Sequence, residues 1–581
     1  MLSAEINRVL LLLGLGVTGY LTILAWDEDY VQLDTSQEYA PAANADVAPD
    51  AALVDAPVPG GSMPSAVDPN ASVPSAPDVP DASLIAGTPE QAQAAPVAPV
   101  ASDRLVHVKT PRLAMWIDRL GGDIVRVELP KFPFNIDRPE VAYTMLSNGN
   151  GHVYVAQSGL IGKDGIDGGG ERPLYEADAE HFEAETGELA VRLVTRQDGL
   201  EVTKTFTFAS DDYLVDVAFA VRNETGRTIQ ASMFSQIKRD RKDPIGASSW
   251  TMGPTPYLGA ALTTSEERYE KLEFDDLDEG NFQRTESGGW IAFLQHYFLS
   301  AWVANPEESN LFFGQRRSDG TYAVGFTGPL HEVQAGATGH WHSRFYVGPK
   351  DQKRLEEISP NLNLTVDYGF LWWLAVPLFY ILDALHDFVG NWGLAIILLT
   401  VLVKAVLYPL SAASYKSMAN MRRVAPQLKR IQERFADDRQ KLSQEMMGLY
   451  KKEKVNPLGG CLPMLLPMPI FIALYWVLFE SVELRHAPFM LWIDDLAAKD
   501  PLFILPLLMG ASMYLQQLLS PAVGDPMQVR MMKLMPVMFT ALFLFFPAGL
   551  VLYWLVNSVL SIAQQWWVMR QTDAAFARKN Q

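Results

Sequence analysis

The stretch AIILLTVLVKAVLYPL (395–410) decides how this chain is to be read, because it is an apolar run interrupted by a single charge, Lys404. A bilayer core of ~30 Å takes about 20 apolar residues as a helix. A lysine near the centre of such a helix costs about 2.5–3.5 kcal/mol, and each Leu, Ile or Val returns only about 0.3–0.6, so the span outweighs its lysine narrowly. Two placements keep that charge tolerable. Lys404 can snorkel to the inner interface near Leu410, or it can face a water-filled cavity. We favour the cavity, because Thr400 lies one turn earlier on the same face and other apolar segments carry polar stripes. Asn557, Ser561 and Gln565 recur at i, i+4 and i+8, with Trp554 one turn above Ser558, and Ser512, Gln516 and Gln517 form a second stripe. Such side chains also serve as interhelical glue. No carboxylate lies deep in any of these segments to neutralise Lys404.

Working outward, five spans are expected at about 392–410, 462–480, 501–519, 534–546 and 550–569. They are preceded by an amphipathic helix over 368–389 that lies in the membrane interface. In that helix Leu371, Leu374, Leu378, Leu382 and Leu385 face one way and Asp383, His386 and Asp387 the other. The loops set the orientation. Residues 411–456 hold 11 Lys or Arg against 5 acids, whereas 484–500 hold Arg485 and Lys499 against three aspartates. The positive-inside bias puts the long basic loop, Arg530, Lys533 and the tail 570–581 in the cytoplasm.

The rest of the 581 residues belongs to another solvent. The net charge of -20 divides into 0 over 1–26, -13 over 27–103, -11 over 104–366 and +4 over 367–581. That balance excludes an ordinary cationic nucleic-acid binder, and DNA is not an expected partner. The single Cys461 excludes a disulfide framework and cysteine metal sites. Residues 9–26 are apolar and read as an uncleaved N-terminal transmembrane anchor rather than a signal peptide, with Arg8 before the run and acids after it. Residues 27–103, with twelve prolines, read as a disordered acidic tether. Residues 104–350 alternate in strand fashion, as in Val202, Lys204, Phe206 and Phe208 against Thr203, Thr205 and Thr207, and predict one large β-sandwich. The pair His340 and His342 lacks a third ligand, so neither metal nor cofactor is expected.

Between the first two core spans, 413–456 predict a helical hairpin. Met418, Met421, Leu428, Ile431 and Phe435, then Leu442, Met446, Leu449 and Tyr450, give one apolar seam. The exterior is cationic, with Arg422, Arg423, Lys429 and Arg430 placed to contact ribosomal RNA or a signal-recognition receptor. It leads into NPLGGCLPMLLPMPIF (456–471), whose prolines and glycines disrupt helical hydrogen bonding at the mouth of a span. This stretch, with YPLSAASYKSMANMRRVAPQLKRI (408–431), QEMMGLYKKEKVNPLGG (444–460), SVELRHAPFMLWIDDL (481–496) and FPAGLVLYWLVNS (546–558), resembles the YidC family of bacterial membrane-protein insertases in its Gram-negative form.

The resemblance implies a multi-domain membrane protein. Its parts are an anchor (1–26), the tether (27–103), a periplasmic β-sandwich (104–350), the interfacial helix (367–390), a core span (391–412), the cytoplasmic hairpin (413–456), four further spans (457–569) and a cytoplasmic tail (570–581). It implies that five core helices enclose a hydrophilic groove open to cytoplasm and lipid. Lys404 is then the groove's positive residue, where many relatives have arginine, and Thr400 and Trp554 face the passing substrate; Gln517, Asn557 and Ser561 complete its polar lining. Both termini are cytoplasmic, in a bacterial inner membrane. The implied activity is that of an insertase and chaperone for nascent inner-membrane proteins, alone or with the Sec translocon and its accessory subunits, and not of an enzyme. No P-loop is present. A polar or acidic segment would enter the groove while its apolar helix partitions sideways into lipid. A secondary transporter or channel would use the same polar groove, but the odd core span count and the lack of an inverted repeat weigh against it. An anchored enzyme or sugar-binding module is a third reading, for which no carboxylate pair or catalytic histidine stands out.

Overall fold

The computed structural model describes residues 104–149, 151–168, 172–244, 256–435, 438–453, 467–519 and 526–579. The anchor and tether expected over 1–103, Cys461 and most of the Pro/Gly-rich stretch lie outside the described residues. Among the described residues, the first half forms two sheets of eleven and nine strands. Strand Leu200–Ala209 shows why. Its residues alternate between buried and half-exposed from end to end, and it pairs antiparallel with Leu214–Asn223 in the same phase. Period-two alternation sends one set of side chains to the partner sheet.

The two sheets face one another across a single core that holds Ile117, Val127, Phe206, Phe219, Trp290 and Trp302. Each large side chain buried there contributes about 1.5–3 kcal/mol. Polar bonds also cross the gap. The Trp302 indole N–H donates to Gln236 O at 2.9 Å, and the Ser235 and Ser343 hydroxyls pair at 3.1 Å. This is the large β-sandwich that the alternation predicts.

The helices are α1 (Phe274–Glu279) and α2 (Gln352–Ile358) in the β-domain, then α3 (Trp372–Val389), α4 (Trp392–Val406), α5 (Tyr408–Arg434), α6 (Arg439–Lys452), α7 (Met468–Glu480), α8 (Ile504–Leu519), α9 (Pro526–Phe543) and α10 (Ala548–Lys579). The outward faces of α4, α8 and α9 are apolar, with Leu398, Leu402, Leu508, Leu515, Leu534 and Val537 exposed. Faces of this kind are suited to lipid. Backbones approach closely inside the bundle: a Cβ on Gly510 of α8 would lie 1.9 Å from Thr540 Oγ1 of α9. Small residues permit such contacts.

Several elements differ from the expected ones, among them α9, which begins eight residues before the expected 534. The first core span ends at Val406 rather than Leu410, and the chain bends by 67° into α5. Pro409 has no N–H to continue the ladder, but it suits the first turn of a new helix. The last helix continues ten residues past the expected end at Met569. Among the described residues, the segment Gly369–Val389 is the one helix long and apolar enough to cross a membrane unaided, and α7 and α8 are shorter. The polar face expected of that helix is sparse, because Trp372, Trp373, Tyr380, Ile381 and Phe388 are all exposed.

Both ends of α3 nevertheless sit on one side of the bundle. A Cβ on Gly369 would lie 3.3 Å from Trp476 Nε1, near the C-terminus of α7, and Asn391 Nδ2 donates to Pro488 O and Phe489 O in the loop after α7. Lys353 of α2 reaches Asp383, in the fourth turn of α3, at 2.7 Å. The helix therefore runs along this end of the bundle beneath the sandwich.

The sandwich is docked on the same end. Lys350 and Glu480 form an ion pair at 3.5 Å with both side chains buried. Burial pushes the Lys350 ammonium below the usual lysine range, opposed by the Glu480 carboxylate. Arg485 Nη2 donates to Pro133 O at 2.8 Å and Phe134 O at 3.1 Å, with its guanidinium over the rings of Tyr143 and Phe298. His296 Nε2 lies 2.8 Å from Phe479 O. Burial pushes the His296 imidazole down to about 3, so it is neutral at ordinary pH and Nε2–H donates to that carbonyl.

Candidate functional site

Lys404 lies in the last turn of α4, two residues before the helix ends. Its ammonium donates to Ser561 Oγ of α10 at 2.6 Å, and Ser561 Oγ donates in turn to Asn557 O at 2.7 Å. The sequence stripe Asn557, Ser561, Gln565 thus turns its middle member onto the charge. Among the described residues no carboxylate stands within ion-pair distance of Lys404. A neutral hydroxyl is its recorded side-chain partner, which satisfies one of its three N–H groups.

The other expected residues fall in three places. Thr400 is on the same face of α4, but it is 1% exposed and its hydroxyl donates to Ile396 O at 2.7 Å, so it is turned into the α4 packing. Trp554 is half-buried in an aromatic cluster. Its ring stands edge-on to Phe471 of α7 at 4.5 Å and stacks with Phe539 of α9 at 6.1 Å. Gln517 Oε1 of α8 and Gln564 Nε2 of α10 are buried with no hydrogen-bond partner among the described residues. One is an acceptor and the other a donor. Buried amide atoms are rarely left so, and water or a polar visitor would satisfy them. The structure thus joins Lys404 of α4 to Ser561 of α10, leaves unpartnered amide atoms on α8 and α10, and sets Trp554 of α10 among aromatic rings of α7 and α9.

The hairpin arm is α5 and α6. Met421, Val424 and Leu428 pack on Leu449, with Ile431, Met446 and Tyr450 at the margin. Val424 belongs to this seam and was not among the residues expected there. Arg422, Lys429 and Arg430 are exposed. Arg423 is not. Its Nη2 donates to Thr572 O and Asp573 Oδ1 of α10, both at 3.3 Å, which removes it from the cationic exterior. Its partner is 150 residues away, so spacing could not disclose it.

Sequence reasoning also passed over Tyr415 of α5, which is 2% exposed. The signal was present in Ser411, Tyr415 and Met418, which follow helical spacing and are all buried.

Comparison with known proteins places these features in a family. The profile of the 60Kd inner membrane protein family matches residues 384–575, and that of the YidC periplasmic domain matches 105–381. A membrane protein insertase YidC of Pseudomonas entomophila is 48% identical over 576 residues, covering 98% of this chain and 99% of the relative. That of Azotobacter vinelandii is also 48% identical, over 575 residues with the same coverage. Among solved structures, an active YidC insertase with its first transmembrane domain resolved covers 80% of this chain and 92% of its own, at 19% identity and a TM-score of 0.37. A galactose mutarotase-like protein from Lactobacillus casei covers 42% of this chain at 11% identity and a TM-score of 0.29.

Proposed function

The chain belongs to the YidC family of membrane protein insertases, an inner-membrane protein with a periplasmic domain, and we propose that Lys404 is the charge around which its insertion groove works. In this reading α4, α7, α8, α9 and α10 are the five spans. The segment ahead of them lies in the periplasmic interface, both termini are cytoplasmic, and the groove opens to the cytoplasm. A nascent chain arrives at the arm, delivered by the ribosome or a signal-recognition receptor and docked through Arg422, Lys429 and Arg430. Its polar or acidic segment enters beside Lys404, where the ammonium and the unpaired amides of Gln517 and Gln564 lower the cost of leaving water. Its apolar helix leaves sideways past the apolar faces of the spans into lipid, and that transfer drives the polar segment across. The membrane potential adds about 2.3 kcal/mol per 100 mV for each acidic charge moved outward. The Sec translocon is the partner for larger clients, and assistance in their folding is the chaperone role.

The observation that carries this reading is the half-buried ammonium in an apolar helix, held by a hydroxyl and by no carboxylate among the described residues. Photocrosslinkers placed at Gln517 and Asn557, beside the proposed groove, and at Leu398, on the lipid face, test it with a ribosome-stalled membrane-protein nascent chain. Adducts from the groove positions early in insertion, and from Leu398 only for longer chains, support the groove. Early adducts at Leu398 alone would refute it.

A further inference from the structure

The loop joining α7 to α8 is held by its own hydrogen bonds. Asp495 Oδ1 accepts from His486 N at 3.1 Å and from Ala497 N at 2.8 Å, and Asp500 Oδ1 accepts from Leu502 N and the Trp492 indole N–H, both at 3.0 Å. Leu496 N donates to Ala487 O, and Gly549 N donates to Leu496 O, which ties the loop to the start of α10. Leu484, Ile493 and Leu496 are buried in the core of the helical half. The tip differs. Met490 to Ile493 form a turn closed by Ile493 N on Met490 O at 3.2 Å, and Phe489 N reaches Ile493 O at 2.9 Å. Leu491, the second residue of that turn, has a φ of 59° and is 82% exposed, and Met490 beside it is 48% exposed.

A leucine at that position is costly twice in water. Its backbone is strained in the left-handed region, at a turn position that glycine or asparagine takes more cheaply, and its side chain is left unburied. Such strain persists where the surroundings fix it, as the hydrogen bonds of this loop do. Residues 487–493, APFMLWI, carry no charge, and the polar edge of Trp492 is already turned onto Asp500.

The tip is also placed at a definite level. Asn391 caps α4, accepting from Leu394 N at 3.0 Å, while its Nδ2 donates to Pro488 O and Phe489 O. A Cβ on Gly393 would collide with the Phe489 ring, so the tip is pressed against the first turn of α4. Phe388 and Leu394, on either side of this contact along the chain, are exposed, as are Leu398 and Leu402 farther along α4. The tip therefore stands level with the start of the apolar exterior of α4.

We propose that Met490 and Leu491 are a fixed wedge seated among the acyl chains of the leaflet at the α4 N-terminus, so that the α7–α8 loop sets the depth of α4 in the bilayer. Lys404 follows Gly393 by eleven residues. That is about 16 Å of helix at 1.5 Å per residue, or roughly halfway through a ~30 Å hydrocarbon core. A wedge that fixes the first turn of α4 thereby fixes the level of the ammonium. This rests on the reading of α4 as a span, and the test separates the two.

Full-length protein with Cys461→Ser carries a nitroxide through Met490→Cys, Leu491→Cys, Asp494→Cys or Leu398→Cys, in vesicles of phosphatidylethanolamine and phosphatidylglycerol. The readout is the ratio of collisions with oxygen, which concentrates in lipid, to collisions with a water-soluble nickel chelate. Labels at 490 and 491 should match the label at 398 and exceed the label at 494 severalfold. Met490→Ser with Leu491→Gly keeps the turn and removes the wedge; the ratio at 398 should then fall as α4 rises toward water, and an unchanged ratio would overturn the depth role. Tip ratios equal to that at 494, with 398 still in lipid, overturn the wedge and leave the span intact. Exclusion of both reagents from the tip overturns it too, because a protein neighbour would then be the cover. A label at 398 that prefers nickel removes the reading of α4 as a span.

Discussion

Two buried lysines, one in each half of the molecule, are solvated in opposite ways. Lys204 lies in the apolar phase of a sandwich strand, is 0% exposed, and donates to Gly121 O, Gly122 O and Ser158 O at 3.1, 2.8 and 2.9 Å. All three of its protons are used, and the neighbouring Arg172 is held between Asp123 and Asp167. Lys404 is half-buried in an apolar helix and has one hydroxyl. A charge whose every donor is satisfied by fixed groups is part of the architecture, because nothing else can bind there without breaking it. A charge left with spare donors inside a low-dielectric region is a site for something that arrives. In the proposed reading the difference separates a lysine that holds a fold from one that receives a client.

The comparison can be broken most forcefully at Lys204. Lys204→Met takes a donor from three buried carbonyls, of which Gly121 O and Ser158 O keep Arg172 Nη2, and should cost the sandwich roughly 2–4 kcal/mol, read as a drop in its unfolding midpoint. A loss below about 1 kcal/mol would mean the ammonium is not structural. Next comes the junction of the two halves. Lys350→Ala strands the Glu480 carboxylate and should destabilise by roughly 3 kcal/mol, while the apolar double variant Lys350→Met with Glu480→Met should return to within about 1 kcal/mol of the parent. Equal losses in both would show that packing, not charge pairing, fixes the sandwich to the helices.

Acid offers a third test. The folded pKa of His296, about 3, is below its ordinary 6.5, so the unfolded chain takes up a proton that the folded one refuses as pH falls below 6.5. Stability from this residue is fully present above 6.5 and declines toward 3. Between pH 7 and pH 5 the loss should be no more than about 2 kcal/mol, because the ring keeps some exposure. The slope should flatten in His296→Phe, and an identical slope in that variant would assign the effect elsewhere. The smallest thermodynamic effect is expected at Lys404 itself. Lys404→Met should change stability by less than about 1 kcal/mol, since its partner Ser561 keeps its bond to Asn557 O. A large loss would make Lys404 structural after all and dissolve the contrast with Lys204.

Much of this contrast was legible in the residues. The strand period placed Lys204 among Val202, Phe206 and Phe208, and the apolar run around Lys404 marked it as costly. Their partners were not legible. The carbonyls that hold Lys204 are 83, 82 and 46 residues away, and Ser561 is 157 residues from Lys404, so no local pattern distinguishes a saturated ammonium from an open one. Pro409 gave notice of the bend at Leu407, yet continuous hydropathy carried the expected span past it. Thr400 had the right face and the wrong depth, because helical spacing gives direction around an axis and not the distance to a neighbouring helix. Arg423 read as exterior for the same reason. Its partner Asp573 comes from the far end of the chain.

The central claim is that Lys404 serves the client and not the fold, and charge reversal tests it most directly. Purified parent, Lys404→Arg and Lys404→Glu proteins, matched for thermal stability, are reconstituted in proteoliposomes with a client whose translocated segment is acidic. The account predicts near-parental insertion with arginine and a loss of tenfold or more with glutamate, about 1.4 kcal/mol or greater, with all three equally stable. Insertion by the Lys404→Glu protein at the parental rate would contradict it.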